Sequence, residues 1–195
     1  MKKILLTALI ACGVVSVHAT LFQYFVTFDG PSEPTASPGI GSGTVNYDDA
    51  THFLQLQAIF SGLVGTTTAS HIHAATASPF TGTAGVATTT PSFALFPLGV
   101  TSGSFANTLD MTLASSYNPS YVTAHGGTTA QAEVDLAAAM AAGEAYWNIH
   151  STTFPGGEIR GFLVAVPEPS SLALLGLGAV GLAARAWNKR RASKA

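Results

Sequence analysis

The chain has 195 residues, 47% of them hydrophobic and only 9% charged, with a formal net charge of −2 and one cysteine. Seven of its eight basic residues lie in the two ends, so residues 20–166 keep Arg160 alone against nine carboxylates, a net charge of −8. Such a surface repels phosphate backbones and excludes nucleic acid as a partner. Cys12 lies near the N-terminus, which leaves the middle of the chain with no disulfide, and 147 residues hold a core without one.

Taken in order, Lys2-Lys3, the apolar run Ile4 to Val17 and the small-residue site Val17-His18-Ala19 predict a signal peptide over residues 1–19, cleaved after Ala19 by signal peptidase. A second reading stays open, because Leu9-Ile10-Ala11-Cys12 also resembles a lipobox. Leu21 to Phe28 reads as a buried first strand, and Gly30 to Gly43, with three prolines, as a loop. Thr44 to Tyr47 and Phe53 to Phe60 predict a hairpin around Asp48-Asp49-Ala50-Thr51. In the second of these strands Leu54, Leu56, Ala58 and Phe60 alternate inward with Gln55 and Gln57 outward. Ser70 to Ala74 and Ser102 to Leu113 read as further strands, the latter with Phe105, Leu109, Met111 and Leu113 as core candidates.

Residues 129–142 break the β pattern. They are Ala-rich, carry Val134, Leu136 and Met140, and are bounded by a Thr128/Gln131 capping box and by Gly143, which predicts one inserted helix. Ala145 to His150 and Glu158 to Val164 then predict a final hairpin. About six to nine short strands with one helical connection argue for an all-β sandwich or barrel.

The chain's end is the most specific part. Val166-Pro167-Glu168-Pro169 precedes an uncharged apolar run and the basic cluster Arg185, Lys189, Arg190 and Arg191. The run predicts a transmembrane helix over about 171–187, roughly 24 Å long at ~1.5 Å per residue against a hydrocarbon core of ~30 Å. The basic residues hold its end in the cytoplasm and place the body outside. This module, residues 166–195, resembles the PEP-CTERM sorting signal of Gram-negative bacteria. The resemblance implies recognition by an exosortase, cleavage near Pro-Glu-Pro, and delivery to the cell envelope or exopolysaccharide.

Three pieces of the body lie in a characteristic order: Phe60-Ser61-Gly62-Leu63 with Ala69-Ser70-His71-Ile72-His73, then Tyr146-Trp147-Asn148-Ile149-His150, then Pro155-Gly156-Gly157-Glu158-Ile159-Arg160-Gly161. Together they resemble the CHRD domain, which implies for residues 20–165 an immunoglobulin-like or superoxide-dismutase-like Greek-key β-sandwich. It implies little about activity.

Strand alternation puts His71 and His73 on one face, and Tyr146, Asn148 and His150 on one face. Two readings follow. In the first, Asn148, Glu158 and Arg160 and the imidazoles form a structural polar network that needs no cofactor, Arg160 pairing with Glu158 or another carboxylate. In the second, His71, His73 and His150 converge as a zinc or copper centre, three imidazoles being the usual nitrogen count for such a site. No nucleophile elbow, paired catalytic carboxylates or phosphate loop is present, so no catalytic residue is assigned. The sequence therefore predicts an exported, non-enzymatic binding or structural module of the envelope or exopolysaccharide, with a metal-binding redox protein as the alternative.

Overall fold

The computed structural model describes residues 21–167, together with the helical Gly178, Val180 and Leu182. The signal peptide with its Ala19 site, Glu168 and Pro169, and the rest of the apolar span lie outside the described residues. Among the described residues no helix is long and apolar enough to cross a membrane.

Eight strands form the body: β1 Leu21–Asp29, β2 Ile40–Asp48, β3 Phe53–Ser61, β4 Thr67–His73, β5 Gly103–Asp110, β6 Tyr146–Ser151, β7 Ile159–Phe162 and β8 Val164–Ala165. Two helices, α1 Pro119–Ala124 and α2 Thr129–Ala141, lie between β5 and β6. The strands are hydrogen-bonded in the order β4-β6-β7-β1-β2-β3-β5, with β8 also on β1, and neighbouring strands run antiparallel. The predicted two-layer sandwich is thus one curled sheet in hydrogen-bonding terms. The curl is visible at Trp147, which is fully buried on β6. Its indole meets Phe28 of β1 edge-on at 5.4 Å and Phe105 of β5 at 6.1 Å, strands far apart in the sheet order. Phe93, from the β4–β5 connection, adds a third edge contact at 5.8 Å. An aromatic centre of this size buries enough apolar area to hold the curled sheet around it.

Several local readings change. β1 is half-buried: Tyr24, Val26 and Phe28 face the core and Phe25 faces outward, while Phe22, on the core-facing side at the start of the strand, stays exposed and stacks on Tyr47. β2 starts at Ile40, inside the segment read as a loop, because its glycines answer a packing demand. A Cβ on Gly41 would lie 2.5 Å from the Ile59 carbonyl oxygen, and one on Gly43 2.7 Å from that of Gln57, with Phe28 pressing on both. Leu113, read as core, is exposed, as is Val134 on the helix, whereas Phe105, Leu109, Met111, Leu136 and Met140 are buried. Helix α2 begins where its cap predicts, Thr128 accepting from the Gln131 N–H, and ends at Gly143 with φ +72°. Helix α1 has no counterpart in the sequence reading; Asn118 caps it ahead of Pro119.

The last strand is split. β7 pairs with β6, and β8 pairs with β1 after the fully buried Leu163. Gly161 sits where β7 crosses β1 most closely, a Cβ there falling 2.1 Å from the Thr27 carbonyl oxygen. We expect Gly161→Ala to lower folding stability in urea denaturation by about 2–3 kcal/mol. Gly156→Ala, with nothing within 4 Å of its Cβ, should change it by no more than ~0.5 kcal/mol.

Candidate metal centre

The antiparallel register decides what the site contains. β4 pairs with β6 through His71↔Asn148 and His73↔Tyr146, and β6 pairs with β7 through Asn148↔Arg160 and Tyr146↔Phe162. Because side chains alternate, Ile72, Trp147, Ile149 and Ile159 fill the core, and the opposite face carries His71, His73, Tyr146, Asn148, His150 and Arg160. That second face is also covered, its three histidines being only 6%, 7% and 9% exposed.

His71, His73 and His150 each offer one ring nitrogen to a common point, these atoms lying within 4.8 Å of one another. The other nitrogen of every ring meets a backbone carbonyl. His71 Nε2 lies 2.6 Å from the Pro91 oxygen, His73 Nδ1 2.9 Å from that of Ala84, and His150 Nδ1 3.0 Å from that of Pro155. A carbonyl only accepts, so each of these nitrogens carries the proton and donates it. The tautomers are thereby fixed, and the lone pairs of His71 Nδ1, His73 Nε2 and His150 Nε2 are left facing inward. Burial, the largest influence on all three, pushes their pKa values down, His73 to about 4, so the rings are neutral at pH 7.

Hydrogen-bond accounting then leaves a deficit. His71 Nδ1 and His150 Nε2 stand 3.2 Å apart with two lone pairs and no proton between them. His73 Nε2 is buried with no partner. Convergent, unprotonated, desolvated imidazole nitrogens are the donor set of a transition-metal ion, and N–H donation to fixed carbonyls is how metal-ligating histidines are oriented.

The polar network predicted beside them divides into two. Arg160 Nε donates to the Ser32 carbonyl oxygen and lies 3.2 Å from a Glu33 carboxylate oxygen. Its guanidinium carbon stands 4.7 Å over the Tyr146 ring, which in turn stacks on His73 at 4.8 Å. Asn148 donates to the Gly156 oxygen at 3.3 Å, next to the Pro155 carbonyl that orients His150. Arg160 therefore pairs with Glu33, not with Glu158. Glu158 turns the other way and receives Ser37 Oγ at 2.6 Å and the N–H groups of Val64 and Gly65. The reason is the loop: Pro155-Gly156-Gly157 turns the chain before β7 begins at Ile159, so Glu158 is outside the alternation that the hairpin reading assumed.

The contributors that sequence reasoning missed are carbonyls and loop residues. Pro91, Ala84 and Pro155 act through main-chain oxygens that no side-chain pattern announces. Of the other described histidines, His52 pairs with Glu133 at 2.9 Å and His125 stacks on Tyr121 at 3.9 Å, both away from the cluster.

Fold and site together define a small β-domain built around a covered face with a three-imidazole donor set. The CHRD domain matches residues 22–163, most of the chain, and the chain belongs to that family. A PEP-CTERM protein-sorting motif matches residues 165–191, marking the protein as exported, envelope-directed and processed by an exosortase. No curated protein and no solved structure matches the chain.

Burial works to raise the Glu158 pKa, but hydrogen bonds from Ser151, Ser37, Val64 and Gly65 outweigh it and hold the carboxyl below the usual carboxylate range. A depressed folded-state pKa contributes stability above the unfolded value that is lost as pH falls through the folded one. The domain should therefore lose stability below about pH 4, and Glu158→Gln should be less stable at pH 7 with a flatter acid limb, read by urea titration across pH 2–7.

Proposed function

We propose that this protein is a metal-binding module of the cell envelope, holding one copper or zinc ion on His71 Nδ1, His73 Nε2 and His150 Nε2. The observation that carries the reading is the fixed tautomer of each ring, which aims three unprotonated nitrogens at one point. In a purely structural network one of His71 Nδ1 and His150 Nε2, 3.2 Å apart, would donate to the other, which the carbonyl-fixed tautomers disfavour, and His73 Nε2, which has no partner, would be satisfied. Ligands bound at about 2.0–2.1 Å in trigonal or tetrahedral geometry stand ~3.3–3.6 Å apart, so the cluster needs only a small contraction to close on an ion.

The role is binding, not turnover. The ion would supply charge and a coordination position, and the residues around it supply orientation: Tyr146 stacks on His73, and the Pro155 carbonyl holds His150. No described side chain at the cluster is placed as a nucleophile or general base.

The fold also suits the processing that the sorting motif implies. The Val166 N–H donates to the Gln23 oxygen at 2.8 Å, and Pro167-Glu168-Pro169 follows at once. Cleavage there leaves the domain whole. Before cleavage, the apolar segment 171–187 tethers the protein in the inner membrane; afterwards the acidic, hydroxyl-rich domain is free in the envelope, where exopolysaccharide is a candidate neighbour.

Purified protein exposed to zinc or copper and then desalted should retain one ion per chain by elemental analysis. Its melting temperature should rise, a stabilisation of about 2.7 kcal/mol at a free-ion concentration of 100 Kd. The His71→Ala/His73→Ala/His150→Ala variant should retain none. Stoichiometric ion in that variant would remove these residues as the site.

A further inference from the structure

The donor set also bears on the charge of the ion. We infer that the centre selects copper in the monovalent state, Cu(I), over Cu(II) and Zn(II). This inference rests on the three-histidine reading above and deepens it.

Four features of the site point the same way. The cluster holds three imidazoles and no thiolate or carboxylate, so the ligands bring no negative charge. Each imidazole donates its N–H to a neutral carbonyl, not to a carboxylate, and so gains no anionic character from behind. The carboxylate on this face, Glu33, is engaged by Arg160, whose guanidinium lies over Tyr146 on the far side of His73. The wall therefore holds no uncompensated negative charge. Finally, the site is more than nine-tenths buried. The cost of moving an ion from water into such a medium grows with the square of its charge, so a divalent ion meets about four times the penalty of a monovalent one.

Coordination number adds to this. Zn(II) on three histidines completes its tetrahedron with a water, which a site this buried would have to admit, and Cu(II) prefers a tetragonal plane. Here the ring of His71 crosses those of His150 and His73 at 67° and 74°, and His73 is tilted 34° to His150, so the three rings do not share one plane. Among the described residues no fourth His, Cys, Asp or Glu joins them. A three-coordinate ion fits that arrangement.

The test is a competition on the purified full-length protein, needing no variant. Cu(I) is titrated anaerobically against a chromophoric Cu(I) chelator, and Cu(II) and Zn(II) against their own chelators. Binding of one Cu(I) at least about a hundredfold tighter than Zn(II), with Cu(II) bound more weakly than Cu(I), is the expected result. X-ray absorption of the Cu(I) form should show three nitrogen neighbours. Zn(II) or Cu(II) bound as tightly as Cu(I), or a copper with four or more ligands, overturns this inference and leaves the three-histidine site standing. No binding of any of the three ions overturns both.

Discussion

The pairing of β4 with β6 and of β6 with β7 is the constraint on which the rest depends. One antiparallel register sends Ile72, Trp147, Ile149 and Ile159 into the core and, by alternation, sends His71, His73, Tyr146, Asn148, His150 and Arg160 to the opposite face. A slip of one residue would exchange the two sets, placing imidazoles and a guanidinium against Phe28 and Phe105. Burial of Trp147 among those aromatics fixes the register. The packing that makes the fold therefore also makes the site.

That coupling extends to the loops. Sheets normally leave one face to water, but here the β4–β5 connection contributes Ala84 and Pro91, and the β6–β7 turn contributes Pro155, each presenting a carbonyl to a histidine. Loop backbone that would otherwise need solvent is satisfied by imidazole N–H groups, and the imidazoles are locked in return. The Ser32-Glu33 segment closes the face from the side by engaging Arg160, the single cation of residues 20–166. Removing that cation would strand Glu33, so the ion pair is best seen as a brace for the covered face.

Much of this was legible in the sequence, and its limits have physical causes. Period-two alternation at Phe53 to Phe60 and the Thr128/Gln131 cap identified β3 and α2 because both signals are local. The grouping of His71 with His73 and of Asn148 with His150 followed from alternation within a strand. The meeting of the two groups did not, since strand order is set by long-range pairing. Glycines at 41 and 43 suggested a loop, yet they sit in β2 because two aromatic rings crowd that strand. The partner of Arg160, open in the sequence between Glu158 and another carboxylate, is also decided at long range: Glu158 is close in sequence, but the Gly156-Gly157 turn redirects it, and Glu33 arrives from a distant loop.

For a protein that its C-terminal motif sends to the envelope, the proposed donor set behind a covered face would let the domain take up an ion after export without refolding. Diffraction from crystals grown with copper or zinc, recorded at the absorption edge of the metal, tests the central claim most directly. One anomalous peak per chain is expected, about 2.0–2.1 Å from His71 Nδ1, His73 Nε2 and His150 Nε2. A peak elsewhere, or ring nitrogens exchanged so that the carbonyl-bonded atoms face the ion, would contradict it.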